Sequence, residues 1–206
     1  MKVINRFSIF LITCLFSLVS YSEEINMERL EEGKPIIWIE RSGKTRMVSG
    51  KILINAPVEE SWKVLSAFDQ WSEWAPGVEY HRIVGKDGDK TIGVCGMKML
   101  VFTVYVPGAV VMDEENKTLY FRQLSGDEVK EYGKMGMEIG KANFTRSVIE
   151  EYKLESYGEK TIWSYSMKWD LKLPVPASVE NFGTKVMAPD FLKAAKKKIE
   201  SMENMQ

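Results

Sequence analysis

The sequence predicts an α+β domain: an antiparallel sheet of about seven strands with a long C-terminal helix packed on one face. Three observations carry that prediction. Thr161 to Leu173 alternates strictly, with Trp163, Tyr165, Met167, Trp169 and Leu171 on one side and Ile162, Ser164, Ser166, Lys168 and Asp170 on the other. Turn signals at Lys86-Asp87-Gly88-Asp89, Glu114-Glu115-Asn116-Lys117 and Tyr157-Gly158-Glu159 punctuate the middle of the chain at hairpin spacing. The tail from Ala177 to Met202 changes to helical period, with Phe191, Ala195, Ile199 and Met202 on one stripe.

The elements follow in order. Glu23 to Lys34 is polar and reads as a short helix or lead-in. Pro35 to Ile39 reads as a strand, turned at Ser42-Gly43-Lys44 into a second strand from Met47 to Asn55. Asn55 is placed to cap the next helix and Pro57 to occupy its first turn. Val58, Trp62, Leu65 and Phe68 make that helix amphipathic. Asp69 is placed to cap a second short helix holding Trp71 and Trp74, which Pro76-Gly77 stops. Strands are then expected over Val78 to Lys86, Thr91 to Val106 with bends at Gly93, Gly96 and Pro107-Gly108, Val110 to Asp113, Thr118 to Leu124 and Phe144 to Leu154. Ser125 to Ala142 is weakly patterned and is expected to be a mobile cover, helix or loop.

The 206 residues suit one domain, and a chain of this length buries roughly 70% of its unfolded surface without disulfides. A hydrophobic share of 45% is too high for a disordered chain and too low for a multi-span membrane protein. A net charge of -1 argues against a nucleic-acid binder acting through a broad basic field. Residues 1–22 have the form of a secretory signal peptide: Lys2 and Arg6, an apolar run from Phe7 to Val19, then Ser20-Tyr21-Ser22 with small residues at the cut. That run is shorter than the ~20 residues that span a bilayer. Cleavage predicts a periplasmic or secreted protein beginning at Glu23. It would hold 26 basic and 29 acidic residues and Cys95 as its one thiol. Residues 23–46 read as an N-terminal extension with one added strand, and 47–206 as the main domain.

Catalytic material is scarce. The sequence has no GxSxG, HExxH, CxxC or GxGxxG, and Ser42-Gly43-Lys44-Thr45 lacks the upstream glycine and following helix of a phosphate loop. One His and two Cys leave little for a metal site or a nucleophile–base pair, so neither a metal nor a cofactor is expected. His81 reads as a surface or hydrogen-bonded structural residue, with a general base as the alternative. Cys95 reads as a small apolar strand residue. In the strand Phe144 to Leu154, alternation puts Arg146, Val148, Glu150 and Tyr152 on one face. Turned inward, Arg146 and Glu150 need partners or a polar ligand; at an edge or bulge they stand in solvent. Lys193, Lys196, Lys197 and Lys198 form a solvated helix face that also suits transient contact with anionic lipid.

The segment from Gly50 to Trp71 carries a resemblance. A strand, Ala56-Pro57, a helix holding Trp62, Leu65 and Phe68, then Trp71, Trp74 and Pro76-Gly77 resembles the opening of the START-like superfamily. That superfamily is also called SRPBCC, or the polyketide cyclase/dehydrase and coenzyme Q-binding group. The close at Leu173-Pro174-Val175-Pro176 followed by a helix is similar too, so the resemblance spans about residues 47 to 203. It implies a helix-grip fold, a curved sheet around the C-terminal helix with a cavity between. It supplies no catalytic residues.

Two function classes follow. The first is a carrier or sensor of a lipid, quinone or polyketide-like molecule. Met97, Met99, Phe121, Trp163, Tyr165, Met167 and Trp169 would line the pocket, Phe191 and Ala195 close it, and Arg146 or Tyr105 fix a polar head. The second is a cyclase/dehydratase-like enzyme using Arg146, Glu150, Tyr105 or His81. A third reading is a filled module acting through an apolar surface near Tyr132 to Ile139. The small His and Cys counts favour binding over catalysis.

Overall fold

The computed structural model describes residues 26–99, 102–133, 145–172, 185 and 187–203. The signal segment 1–22, residues 134–142 of the expected cover, Phe144 of the expected strand and the Leu173 to Pro176 strand end lie outside them.

Helix α1 (Met27–Glu31) begins at Asn26, whose side chain accepts a hydrogen bond from the Arg29 N–H. Strands β1 (Ile36–Ser42) and β2 (Thr45–Ile54) form a hairpin. Helix α2 (Val58–Ser66) and a short 3-10 helix (Phe68–Glu73) follow. Then come β3 (Val78–Asp87), β4 (Lys90–Met99), β5 (Phe102–Asp113), β6 (Thr118–Gln123), α3 (Gly126–Gly133), β7 (Thr145–Tyr157), β8 (Lys160–Leu171) and α4 (Ala188–Glu203). All eight strands join one antiparallel sheet in the order β1-β2-β8-β7-β6-β5-β4-β3. The pairing of β2 with β8 is the long-range closure that brings the N-terminal half of the domain to the C-terminal half.

Three local expectations need correction. Asn55 does not cap α2; Pro57 occupies the cap position and no side chain bonds there. The Asn55 N–H instead donates to Glu200 Oε1 at 2.8 Å. Asp69 is likewise inside the 3-10 helix, whose cap residue is Ala67. The expected long strand from Thr91 to Val106 is two strands, β4 and β5, which pair with each other through Met97↔Val104 and Cys95↔Val106. The expected Val110 to Asp113 strand is the end of β5, and the described residues form eight strands.

Helix α4 lies on the inner face of β2. Leu192 is fully buried, and the backbone of Gly50 is where it seats: a Cβ there would come within 2.8 Å of Leu192 and 2.7 Å of Ile37. At the helix end, Lys196 Nζ donates to the Leu53 carbonyl at 2.7 Å and to Glu200 Oε1 at 2.6 Å. Lys196 thus belongs to the helix–sheet joint, whereas Lys193 and Lys197 are exposed. The main core is formed by Ile52, Ile54, Leu65, Leu119, Leu154, Trp163, Leu192 and Ile199, contributed by β2, α2, β6, β7, β8 and α4.

The opposite face of the sheet carries a smaller cluster, Ile92, Val94, Ala109 and Leu124, with Tyr105, Val129 and Tyr132 packed on it. The first part of the expected mobile cover is therefore an anchored helix on the outer face. Ser125 Oγ accepts from the Glu128 N–H at 3.3 Å and Glu128 Oε2 accepts from the Ser125 N–H at 2.8 Å, a reciprocal cap. Arg122 donates to both Glu128 oxygens, at 3.0 and 2.5 Å, and with the Ser125 bonds holds that carboxyl down at about 2. Tyr132 Oη donates to Asp87 at 2.7 Å.

Candidate functional site: the hollow between sheet and helix

Side-chain parity defines the inner face. On β8 it is Trp163, Tyr165, Met167 and Trp169; their partners on β7 are Leu154, Tyr152, Glu150 and Val148. Glu150 in turn faces Phe121 on β6, and Phe121 faces Val110 on β5. Cys95 on β4 lies between His81 on β3 and Val106 on β5. Phe121 covers Gly108, where any Cβ would collide with the ring, so this glycine is required by close approach.

Aromatic rings fill the floor. Phe191 of α4 has ring centroids of Trp71, Trp74, Tyr152, Tyr165 and Trp163 within 5.4–6.1 Å. Tyr152 is 5.1 Å from Trp71 and 5.2 Å from Tyr165. His81 joins the same group, edge-on to Phe68 at 5.3 Å and stacked with Trp71 at 6.4 Å. It is a partly buried, hydrogen-bonded residue held at the Phe68 backbone, and its cross-strand neighbour on β4 is Cys95. Burial lowers its pKa, opposed by the Phe68 carbonyl and the Asp69 charge.

The inner face is not uniformly closed. At the Trp163 end it is sealed: Trp163 and Ile52 are 0% exposed and Leu154 is 3% exposed. Toward the other end, Cys95, Met97, Glu150, Met167, Trp169 and Phe191 keep accessible surface although they point toward the helix side of the sheet. This end of the inner face is therefore less closely covered than the Trp163 end.

One acidic group, Glu150, stands on that part of the face. Glu150 Oε2 accepts a hydrogen bond from Tyr152 Oη at 2.5 Å. Burial raises the Glu150 pKa, partly opposed by the Tyr152 bond. The folded state holds this proton more tightly than the unfolded chain. The resulting stability is complete below the unfolded carboxyl range and is lost as pH rises through the folded value. Burial, then the Glu150 charge, pushes the Cys95 thiol up, so it is no ready nucleophile. The Tyr152 and Tyr165 hydroxyls are raised by the same causes.

The predicted lining residues separate. Phe121, Trp163, Tyr165, Met167 and Trp169 lie together on the inner face, Phe191 and Ala195 face them from α4, and Met97 shares that face on β4, paired with Val78 and Val104. The Met99 side chain lies outside the described residues. Tyr105 does not belong with them: it packs on the outer-face cluster beside Tyr80, at 5.9 Å between rings. Arg146 is exposed, because the register of β7 against β8 slips between Thr145 and Ser147 and turns it out. The bulge separates the two charges that alternation placed on one face: Arg146 goes to solvent and Glu150 stays inside. The sequence reading missed Trp71, Trp74 and Tyr152 as site residues. Tyr152 was legible from the parity it shares with Glu150.

Comparison with known proteins follows this geometry. A family model described as "Polyketide cyclase / dehydrase and lipid transport" matches residues 45–204. Among solved structures, the chain is similar to a STAR-related lipid transfer protein from Xanthomonas axonopodis. The TM-score is 0.63 and the identity 12%, over 82% of this chain and 94% of that one. It is also similar to the Zhui aromatase/cyclase from Streptomyces sp. R1128, with a TM-score of 0.61 and 14% identity over 76% of this chain and 94% of that one. A START superfamily protein from Mycobacterium smegmatis gives a TM-score of 0.59 and 15% identity over 76% and 98%. At these identities the likeness is one of fold. No curated protein sequence matches.

Proposed function

Because the chain belongs to the polyketide cyclase / dehydrase and lipid transport family, we propose that it carries a hydrophobic small molecule between sheet and α4, without covalent catalysis. The observation that carries this reading is the unsealed inner face, where Met97, Met167, Trp169 and Phe191 keep accessible surface around an aromatic floor. Flexible methionines and flat rings suit an apolar guest of variable shape. The signal-like segment 1–22 supports export, with the carrier acting in the periplasm or outside the cell. Exposed Lys193 and Lys197, on a shallow groove of about 350 Å³ with Lys196, Glu200 and Ser201, support transient contact with anionic membranes during ligand exchange.

The alternative reading, a cyclase/dehydratase-like enzyme, loses two of its four groups to geometry: Tyr105 is on the outer face and Arg146 is exposed. It keeps Glu150 with Tyr152, and His81. Titration with Nile red, a neutral dye that brightens in apolar sites, tests the carrier reading. Saturable binding at one dye per chain, with quenching of tryptophan emission, is expected. A dye signal no greater than that of a solid-core control protein contradicts it.

A further inference from the structure

Resting on the carrier reading, we propose that His81 is a positioning residue for the ligand site. It clasps the 3-10 helix Phe68–Glu73 over the inner face and releases it in acid, so that a bound apolar molecule leaves faster. That helix has six residues, too few to be stable on its own. Its buried Trp71 roofs the aromatic floor, 5.1 Å from Tyr152 of β7 and 5.4 Å from Phe191 of α4. The segment can swing as a unit. Ala67 leaves the helical backbone at one end. At the other, Gly77 turns the chain at φ +80° and its carbonyl accepts from the Lys98 N–H at 2.6 Å. Between these ends, the hydrogen bonds of residues 68–75 to described residues stay within 64–78, apart from the Phe68 backbone bond to His81. The His81 ring adds an edge-on contact with Phe68 at 5.3 Å and a stacked one with Trp71 at 6.4 Å. One side chain of β3 thus joins the 3-10 helix to the sheet by a bond and two ring contacts.

The charges around the ring set the direction. Asp69, on the 3-10 helix, is the acid that acts on His81, and it is exposed. Cys95 faces His81 from β4, with apolar Val106 beyond it on β5. Behind Trp71 stand Tyr152 and Glu150 on β7. On its own strand, Glu79 turns to Thr103 and Lys98, and Arg82 alternates to the other face. Burial outweighs the Phe68 carbonyl and Asp69 and lowers the His81 pKa. Swinging the helix away returns the ring to water, where it protonates near its ordinary 6.5. The clasp is therefore at full strength above that value and weakens as pH falls through the lower, clasped one. Glu150 acts in the opposite sense. Its raised pKa favours the folded site as pH falls, so it cannot imitate the release.

Nile red, which stays neutral across this range, reads the release by stopped-flow dilution. Its dissociation from wild-type protein should be at least about threefold faster at about pH 5 than at about pH 7.5. His81→Phe keeps a ring between Phe68 and Trp71 but takes no proton, and its two rates should agree within about 1.5-fold. Hydrogen exchange of the wild type gives a second reading that a merely structural His81 would not move. After correction for intrinsic pH dependence, the amides of Phe68–Glu73 should lose protection in acid while those of β8 keep theirs. A wild-type rate that does not change with pH overturns the clasp. So does acid release that persists in His81→Phe, or equal protection of the 3-10 helix at both pH values. Each of these leaves the carrier reading intact. Failure of Nile red to bind removes that reading and the proposed release with it, whatever the exchange shows.

Discussion

Trp163→Ala will destabilise the domain by about 3–5 kcal/mol, the range for deleting a large aromatic side chain from a closed core. The indole is 0% exposed and sits between the sheet and α4. Ile52 flanks it on β2 and Leu154 on β7. Tyr152 stands 6.5 Å away and Phe191 of α4 6.1 Å, centroid to centroid. Its Nε1 has no hydrogen-bond partner, so the loss is one of packing and burial with no bond broken. The cavity left behind is walled by β-sheet on one side and by a helix tied down through Lys196 and Glu200 on the other. That limits collapse. Urea unfolding should show a lower midpoint at nearly unchanged slope. A loss below about 1 kcal/mol would mean that this end of the interior is not the sealed wall described above.

Cys95→Phe should separate a hollow from a solid core. Cys95 lies mid-strand on β4, level with His81 and Val106, and points to the helix side while keeping accessible surface. In a filled core the added ring would overpack and cost about 1–3 kcal/mol. In a hollow it occupies ligand space. The expectation is a stability change within about 1 kcal/mol together with a loss of Nile red affinity of more than about tenfold. Both are read from one preparation, by urea unfolding and dye titration. Strong destabilisation with dye binding retained would reverse the assignment of this wall.

Where parity ran through an uninterrupted strand, the sequence was enough. Trp163, Tyr165, Met167 and Trp169 share the inner face because period-2 geometry leaves no other arrangement within β8. Parity failed where the backbone broke it without a residue-type signal. Met99-Leu100-Val101-Phe102 contains no Gly, Pro, Asn or Asp, yet β4 ends and β5 begins there. Across that reversal Met97 pairs with Val104, so the inner positions change from odd to even numbers and Tyr105 goes outside. The slip between Thr145 and Ser147 did the same to Arg146. The Asn55–Glu200 bond joins residues far apart in the chain, and no local pattern encodes it. The family resemblance at Ala56-Pro57 and Trp62 to Gly77 was legible because those residues repeat a local strand–helix–turn plan.

The central claim is that a hydrophobic molecule sits between the sheet and α4. Native mass spectrometry of the protein purified from its own host tests it most directly. The expected mass exceeds that of the polypeptide by one small molecule, released on denaturation and extractable into organic solvent as an apolar compound. Bare polypeptide mass from gentle purification, together with no uptake when apolar extracts of the same cells are added back, would contradict it.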